Sequence, residues 1–376
     1  MAIELAAYLA LAIWVYLVAG RGGFWLEKAT TPPRLGASLN YPSVVAVVPA
    51  RNEALVVEKA IGSLAGQHYP GAFHIVLVDD SSSDETVEAA RAAAGAERLS
   101  TIRAEPPEAG WTGKMWAVAQ GVRYAERFRP DYFWLTNADI VHAPENLAGL
   151  VARAEGSGYR LVSYMATLAC RTLAEQALIP AFVFFFFLLY PPRWIRDARR
   201  RTAGAAGGSM LVERKALESS GGIEAIGGAL IDDCALAAQI KKAGGKVWLG
   251  LNSSTRSIRP YGSLAEIGAM ISRSAFTQLR HSALLLLGTT AGLALTYLAP
   301  PVAAIAAPRG ARLAGALAWG LMSLAYAPML RFYRKSVLWA PLLPLIACFY
   351  LGATVHSAAV YWRGQGGQWK GRVQDR

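Results

Sequence analysis

This chain has four long apolar runs, one at the beginning and three near the end, which is typical of a membrane protein. They cover residues 2–20, 283–307, 311–330 and 337–362. Each run is about long enough to cross a hydrocarbon core of roughly 30 Å as a helix. Buried core helices are the alternative, although such helices are usually shorter. We therefore expect four transmembrane helices around a polar central region.

The apolar runs also divide the chain into domains. The first run lacks the basic start and small-residue cleavage site of a signal peptide, so residues 1–20 are expected to be a retained anchor. A domain at 40–282 follows, then three transmembrane helices at 283–362 and a basic tail at 363–376. Three crossings would place that tail across the membrane from the central domain, against the positive-inside tendency. A re-entrant last run, interrupted by Pro341 and Pro344, would avoid this, and both topologies remain open.

The net charge of +12 calls for an acidic partner, such as nucleic acid, anionic lipid or an anionic substrate. The sequence carries no signature of a nucleic-acid-binding module, so we expect no nucleic-acid partner. The densest basic cluster directly follows an apolar segment at 177–192, and it consists of Arg193, Arg196, Arg199, Arg200 and Arg201. We expect this segment to lie in or dip into the membrane interface, with a buried core helix as the alternative.

Short β-rich runs alternate with helical runs through the central region. Strands are predicted at 44–48, 74–78 and 99–103, and a fourth begins at Tyr132. The helices between them have expected caps, with Asn52 before the first helix and Ser82 with Glu85 before the second. This alternation predicts an α/β fold with a mostly parallel sheet and helices on both faces.

Polar residues follow three of these predicted strands. They are Pro49, Ala50, Arg51, Asn52 and Glu53, then Asp79 and Asp80, then Asn137, Ala138 and Asp139. The carboxyl ends of parallel strands line one crevice, so we expect these residues to converge there. Each carboxylate has a structural alternative as a turn former or helix cap. Their shared position makes a common binding crevice the stronger interpretation.

The order and spacing of these motifs resemble the family 2 glycosyltransferases of GT-A type, inverting enzymes that use nucleotide sugars. The matching motifs are Pro49-Ala50-Arg51-Asn52-Glu53, Val78-Asp79-Asp80-Ser81-Ser82-Ser83-Asp84, Thr112-Gly113-Lys114, Asn137-Ala138-Asp139, Gly207-Gly208-Ser209 and Asp232-Asp233-Cys234-Ala235-Leu236. The resemblance covers 44–280 and implies a Rossmann-like GT-A catalytic domain. With its leading and trailing spans and its tail Gln368-Trp369-Lys370-Gly371-Arg372, the chain is similar to the hopene-associated glycosyltransferases of bacterial hopanoid gene clusters.

The resemblance implies a nucleotide-sugar site at the strand ends, with a UDP-sugar as the expected donor. The two motifs at 49–53 and 79–80 would bind the nucleoside, and Asp139 would hold Mg²⁺ or Mn²⁺. Lys114, at a glycine-led helix start, would add charge near the diphosphate, unless it is an ordinary solvated lysine. The family usually has Asp-x-Asp where this chain has Asn137-Ala138-Asp139. We therefore expect weaker metal binding or an altered ribose contact.

For the acceptor, the resemblance points to Asp233 as general base, with Asp232 beside it at a predicted helix start. This carboxylate would take the proton of an acceptor hydroxyl that attacks the anomeric carbon with inversion. The alternative is that both aspartates only favour a helix N-terminus. Other expected contacts are Gly207, Gly208, Ser209 and Gln278 for the acceptor, and Arg280 or Arg273 for the diphosphate. The family motif Gln-x-x-Arg-Trp lacks its Trp in Gln278-Leu279-Arg280-His281, which argues against processive polymer synthesis.

Three functions follow from these residues. The first is a multi-pass enzyme of the bacterial cytoplasmic membrane, its catalytic domain facing the cytoplasm, that glycosylates a lipid of hopanoid metabolism. The second keeps the enzyme but gives it a polyprenyl phosphate acceptor, which is already ionised and needs no base. The third is a non-catalytic membrane protein that binds nucleotide sugars.

Overall fold

The computed structural model describes residues 1–36 and 41–367. Its helices are α1 (Ala2–Ala19), α2 (Ala54–Ala65), α3 (Thr86–Ala93), α4 (Gly113–Ala125), α5 (Asn146–Ser157), α6 (Leu173–Leu189), α7 (Pro192–Arg196), α8 (Arg214–Ser219), α9 (Asp232–Lys242), α10 (Leu264–Gln278), α11 (Ala283–Leu293), α12 (Ala299–Ala306), α13 (Arg309–Phe332) and α14 (Leu343–Trp362). Its strands are β1 (Val44–Ala50), β2 (Phe73–Asp79), β3 (Leu99–Arg103), β4 (Tyr132–Thr136), β5 (Ile140–His142), β6 (Tyr159–Thr167), β7 (Ser209–Glu213) and β8 (Lys246–Ser257). The predicted tail motif at 368–372 lies outside the described residues.

The eight strands form one sheet in the order β3-β2-β1-β4-β7-β6-β8-β5. The pairs β3-β2, β2-β1 and β1-β4 are parallel, as predicted. The other half is mixed, because β7 runs antiparallel to β4 and β6, and β5 runs antiparallel to β8. Ser209 pairs with Thr136, so β7 begins where β4 ends. This reversal brings the turn that precedes β7 to the carboxyl edge of the parallel strands.

The side chains of β1 alternate between two buried layers. Val45 and Val47 face the layer that contains α4 and α9, whereas Val44, Ala46 and Val48 face the layer that contains α2 and α5. The predicted apolar positions of α2, which are Val57, Ile61 and Leu64, are all buried in the second layer. The sheet is therefore covered on both faces, which places open chemistry at its edges and strand ends.

The two predicted helix caps are wrong, because the capping side chains bridge neighbouring loops instead. Helix α2 begins after Glu53, and Asn52 has left-handed backbone with φ 51°. The Asn52 Oδ1 accepts a hydrogen bond of 2.8 Å from the Ser83 backbone N–H. Helix α3 begins after Glu85 without a side-chain cap, since Ser82 Oγ accepts from the Asn52 N–H at 3.0 Å.

Within residues 1–36 and 41–367, four helical stretches are long and apolar enough to cross a membrane, and they coincide with the four predicted runs. They are Ala2–Ala19, Ala283–Ala306, Arg309–Phe332 and Val337–Trp362. Helix α1 packs on α12 and α13, and Trp14 Nε1 donates to the Thr296 carbonyl at 2.8 Å. Large apolar side chains also point outward, with Leu284 72% and Ile305 73% exposed. That these stretches cross a membrane stays a prediction.

Helix α6, the core of the predicted interfacial segment, is enclosed on several sides. Phe184 and Phe187 are fully buried, and the ring of Phe184 lies 5.2 Å from that of Tyr326 on α13. The Tyr350 hydroxyl of α14 donates to the Leu178 carbonyl at 2.8 Å. These contacts favour the buried-helix alternative, and they join the sheet domain to the trailing helices. The depth of α6 relative to a membrane stays a prediction.

Candidate active site

The ends of β1 and β2 form one hydrogen-bonded unit. The Asp80 N–H donates to the Ala50 carbonyl, and Arg51 Nη1 donates to the Asp80 carbonyl, both at 2.8 Å. Asp79 Oδ1 accepts from the Ser82 N–H at 3.0 Å. The predicted nucleoside motifs therefore meet, as the strand order requires. The side chain of Ala50 is buried, so this residue contributes backbone contacts.

Arg259, just beyond β8, joins the ends of β1 and β4. Its Nη2 is hydrogen bonded to both carboxylate oxygens of Glu53, and its Nε lies 3.4 Å from Asp139 Oδ2. The same Asp139 oxygen accepts from Ser257 Oγ at 2.9 Å. Burial lowers the pKa of Arg259, but the attraction of Glu53 and Asp139 outweighs it and leaves the pKa raised. The guanidinium is therefore a fixed positive charge between two predicted donor-binding carboxylates.

The oxygen donors at the end of β4 make a partial set for a divalent metal. Within residues 1–36 and 41–367, no group of three or more His, Cys, Asp or Glu side chains is arranged to hold a metal. Asp139 offers one carboxylate and Asn137 a neutral amide oxygen, while the Ala138 side chain is buried. Magnesium commonly binds through one or two carboxylates completed by substrate phosphates and water. These residues thus fit Mg²⁺ or Mn²⁺ only together with a phosphate ligand.

A second polar group gathers at the starts of α4 and α9. Thr112 caps α4 by accepting from the Met115 N–H at 3.3 Å, and its own N–H donates to the Gly227 carbonyl at 2.9 Å. The second bond brings the loop before α9 against the start of α4. As a result, Lys114 Nζ lies 2.8 Å from Asp232 Oδ2. Lys114 is therefore paired, and the alternative of an ordinary solvated lysine is wrong.

Asp233 is held by backbone groups from two directions. Its Oδ2 accepts from the Gly207 N–H at 2.8 Å, and its Oδ1 accepts from the Cys234 N–H at 2.7 Å. Burial and the charge of Asp232 raise the pKa of Asp233 to about 6, although Lys114 and the two backbone N–H groups oppose the rise. A carboxylate with a pKa near neutrality can both accept and release a proton at physiological pH.

A narrow cavity of about 10 Å³, room for about one water molecule, connects the two polar groups. Its lining includes Pro49, Asn137, Lys114, Gly207 and Asp232. Pro49 and Asn137, from two of the strand-end motifs, therefore share one lining with Lys114 and Asp232 of the α4–α9 group. The mixed half of the sheet supplies Gly207 to this lining, and the predicted crevice for the donor stays a prediction.

The end of β4 is braced by a buried hydrogen-bond chain. Thr136 Oγ1 donates to the Gly208 carbonyl at 2.7 Å and is bonded to His142 Nε2 at 3.0 Å. Burial lowers the pKa of His142 to about 3, so its imidazole is neutral. Ser209 is fully buried, with its hydroxyl bonded to Trp134 Nε1 at 3.0 Å. The expectation that Ser209 contacts an acceptor is therefore wrong, because its hydroxyl is hydrogen bonded inside the sheet domain.

A groove of about 650 Å³ is lined by Cys234, the residue that follows Asp233. Its lining is Leu189, Tyr190, Arg201, Thr202, Ala203, Gly228, Ala229, Leu230, Ile231, Cys234, Ala235, Ala238, Thr277, Gln278 and His281. The Tyr190 hydroxyl and the Gln278 amide bond each other at 2.8 to 3.0 Å. Gln278 therefore lines this groove, and its contact with an acceptor stays a prediction.

The two candidate diphosphate arginines on α10 and its end have separate surroundings. Arg280 is exposed, with φ 52°, and lines neither the cavity nor the groove. The charge of Arg273 instead lowers the pKa of Tyr261, as does the charge of Arg259, whereas Asp139 raises this pKa. That either arginine binds the diphosphate stays a prediction.

Sequence reasoning missed Arg259 and Tyr190. Arg259 follows the last strand and directly precedes Pro260, so a prediction of β8 would have placed it beside the other strand ends. Tyr190 belongs to the segment interpreted as interfacial, where its hydroxyl carried no separate signal. Only the packing of α6 against α10 brings it to the groove.

Comparison with known proteins supports the fold. Residues 45–220 match the family model described as Glycosyl transferase family 2. The mannosyltransferase from Pyrobaculum calidifontis, solved with GDP-Man and Mn²⁺, aligns with 94% of this chain and 98% of its own at a TM-score of 0.56 and 20% identity. At that identity the likeness shows the fold, and the predicted GT-A type is confirmed.

Weaker structural likeness extends to the glucosyl-3-phosphoglycerate synthase from Mycobacterium tuberculosis. Its complex with Mg²⁺ and UDP aligns with 68% of this chain and 86% of its own at a TM-score of 0.43 and 18% identity. Its complex with phosphoglyceric acid aligns with 64% of this chain and 79% of its own at a TM-score of 0.40 and 19% identity. No curated protein matches the chain.

Proposed function

We propose that this protein, a glycosyltransferase by its family 2 domain at residues 45–220, moves a sugar from a nucleotide sugar to a lipid hydroxyl. The observation that carries the proposal is the position of Asp233. Asp232 lines the strand-end cavity and Cys234 lines the groove, so Asp233 stands in the chain between one residue of each, and its carboxylate accepts from Gly207, which also lines the cavity. A donor at the cavity and an acceptor in the groove would therefore meet at Asp233.

The chemistry is a single displacement with inversion. Asp233 takes the proton from the acceptor hydroxyl, whose oxygen attacks the anomeric carbon while the bond to the diphosphate breaks. Each Asp233 oxygen accepts one backbone hydrogen bond and retains a further lone pair for this proton. Lys114 and the first N–H groups of α4 favour the departing negative charge. A divalent metal at Asp139 would add charge neutralisation there when bound.

The groove supports a lipid acceptor. Most of its lining is apolar, and it ends at Thr277, Gln278 and His281. Ser282 then caps α11, the start of a candidate membrane span. A lipid alcohol would thus enter the groove from the membrane side, past the polar side chains of Thr277, Gln278 and His281. Exposed apolar side chains on the four candidate spans support a multi-pass membrane location. The bacterial cytoplasmic membrane is assigned by the resemblance.

The donor and acceptor are assigned by resemblance. The motif arrangement resembles the hopene-associated glycosyltransferases, so we assign a hopanoid or its precursor as the acceptor. A UDP-sugar is the donor to test first, and GDP-mannose is the second, because the Pyrobaculum calidifontis mannosyltransferase was solved with GDP-Man and Mn²⁺. Mg²⁺ or Mn²⁺ is the proposed cofactor.

The test is release of nucleoside diphosphate by the purified full-length protein in detergent. A panel of nucleotide sugars is offered with Mn²⁺, with and without bacterial lipid extract. Lipid-dependent release that falls about 10²-fold or more in Asp233→Asn supports the proposal. Glu218→Gln, which removes an exposed carboxylate of α8, is the matched control and should retain activity. Folded protein that turns over no donor with any lipid contradicts it.

A polyprenyl phosphate acceptor is the second candidate, favoured by Arg201 in the groove lining. Such a phosphate is already ionised, so it needs no general base. Retained turnover in Asp233→Asn together with loss in Arg201→Gln would replace the first proposal with this one.

A further inference from the structure

We propose that Arg259 is a resident cation of the donor site, which competes with a divalent metal for Asp139 and itself binds the donor diphosphate when metal is absent. The proposal rests on the function proposed above and goes beyond it, because it assigns the charge balance of the site to a residue outside every recognised motif. It also predicts that donor binding does not depend wholly on metal.

The backbone on both sides of Arg259 is fixed. The Ile258 N–H donates to the Asp139 carbonyl at 2.9 Å, and the Tyr261 N–H donates to Glu175 Oε1 at 2.8 Å. The Arg259 side chain itself is 36% exposed, so its guanidinium is open to solvent. Arg259 can therefore exchange one anionic partner for another by a side-chain movement alone.

The charges explain why the guanidinium and a metal compete. Arg259 Nε lies 3.4 Å from Asp139 Oδ2, and Ser257 Oγ occupies a further lone pair of that oxygen. A divalent cation on Asp139 would stand within a few ångströms of the guanidinium and be repelled by it. With Asn137 neutral, no second carboxylate from this motif offsets that repulsion.

The same guanidinium suits a diphosphate. Its planar donors match phosphate oxygens in a two-point arrangement and remain charged at any working pH. In this structure Arg259 Nη2 donates to the carboxylate of Glu53, a residue of the predicted nucleoside motif. A donor that places its diphosphate at the end of β4 would find this positive charge already present.

The experiment measures two affinities in purified full-length protein, neither of which needs turnover. Mn²⁺ binding without nucleotide is titrated by electron paramagnetic resonance, and UDP and GDP binding is measured by calorimetry in EDTA. In Arg259→Gln we expect Mn²⁺ affinity to rise about tenfold, because a positive charge that repels the metal is removed. We expect metal-free nucleoside diphosphate affinity to fall about tenfold, because a charge-assisted contact is lost. A structural defect would weaken both, so the opposite signs are diagnostic.

Two further variants serve as controls for Arg259→Gln. Arg256→Gln removes an exposed arginine of β8 and should change neither affinity. Arg259→Lys retains the charge and should recover part of the metal-free binding. Equal Mn²⁺ binding by wild type and Arg259→Gln, or no Mn²⁺ binding by either, overturns the competition. Unchanged nucleotide affinity in EDTA overturns the diphosphate role. Wild type that binds no nucleoside diphosphate, with or without Mn²⁺, overturns the proposed function, whereas the Mn²⁺ titration still decides the competition.

Discussion

Lys114 Nζ and Asp232 Oδ2 lie 2.8 Å apart, although 118 residues separate them in the chain. The pair joins the start of α4 to the start of α9, beside Asp233. Lys114 lowers the pKa of Asp233, whereas the Asp232 carboxylate raises it. The ion pair thus tunes the proposed base while it faces the cavity where the diphosphate is expected.

This tuning predicts a pH dependence. Burial raises the pKa of Asp233 to about 6, so the fraction of ionised base falls as the pH drops below this value. We expect kcat/KM to fall about tenfold per pH unit on the acidic side and to be level above it. Lys114→Met should move this limb to higher pH, and Asp232→Asn should move it to lower pH. Identical limbs in all three proteins would show that another group titrates.

The groove predicts an effect on the acceptor alone. Tyr190→Phe removes the hydroxyl that pairs with the Gln278 amide and leaves the ring in place. The loss of a hydrogen bond of about 1 kcal/mol should raise the KM for lipid by about fivefold. Affinity for nucleoside diphosphate should not change. Gln365→Ala, at an exposed position after α14, is the control, and a change in nucleotide affinity would contradict the assignment.

Much of the parallel half of the sheet could be predicted from sequence, because its strands and helices carry clear local patterns. The predicted strand at 99–103 coincides with β3, and the helix positions Val57 and Ile61 are buried as expected. The strand-end rule then brings Asp80 and Asn137 to one edge. These inferences need only hydrophobic periodicity and chain order.

The remaining features depend on contacts between distant segments. Asn52 and Ser82 are residue types that often cap helices. Here the side chain of each accepts a hydrogen bond from a backbone N–H of the neighbouring loop instead. Ser209 occupies a motif position, but the antiparallel entry of β7 turns its hydroxyl to Trp134. Arg259 has no local pattern, and its role follows only from the position of β8 in the sheet. Local propensity cannot specify such pairings.

Glu175 predicts a pH-dependent junction between α6 and the segment after β8. Burial alone would raise its pKa, but N–H donation from Tyr261, Thr172 and Arg171 lowers it. Its stabilising contribution is therefore present above the pKa of the unfolded chain and is lost as the pH falls through the lower folded value. Glu175→Gln should cost about 1.5 to 3 kcal/mol at neutral pH. Melting curves across acidic pH should show a smaller pH dependence in the variant, and parallel curves would contradict this.

Close packing of α4 on the sheet makes a final prediction about the helix that carries Lys114. A Cβ on Gly121 would lie 2.5 Å from Val47 Cγ1 and 2.7 Å from Val78 Cγ2, both in the sheet core. Gly121→Ala should therefore destabilise the protein by about 1 to 3 kcal/mol and displace α4. Gly62→Ala in α2 is the matched control, because the nearest atom to its Cβ is 4.0 Å away. That variant should be stabilised by up to about 1 kcal/mol through helix propensity. The melting temperatures of the two variants should shift in opposite directions. A higher melting temperature for Gly121→Ala would show that α4 and the sheet adjust to the added methyl group without strain.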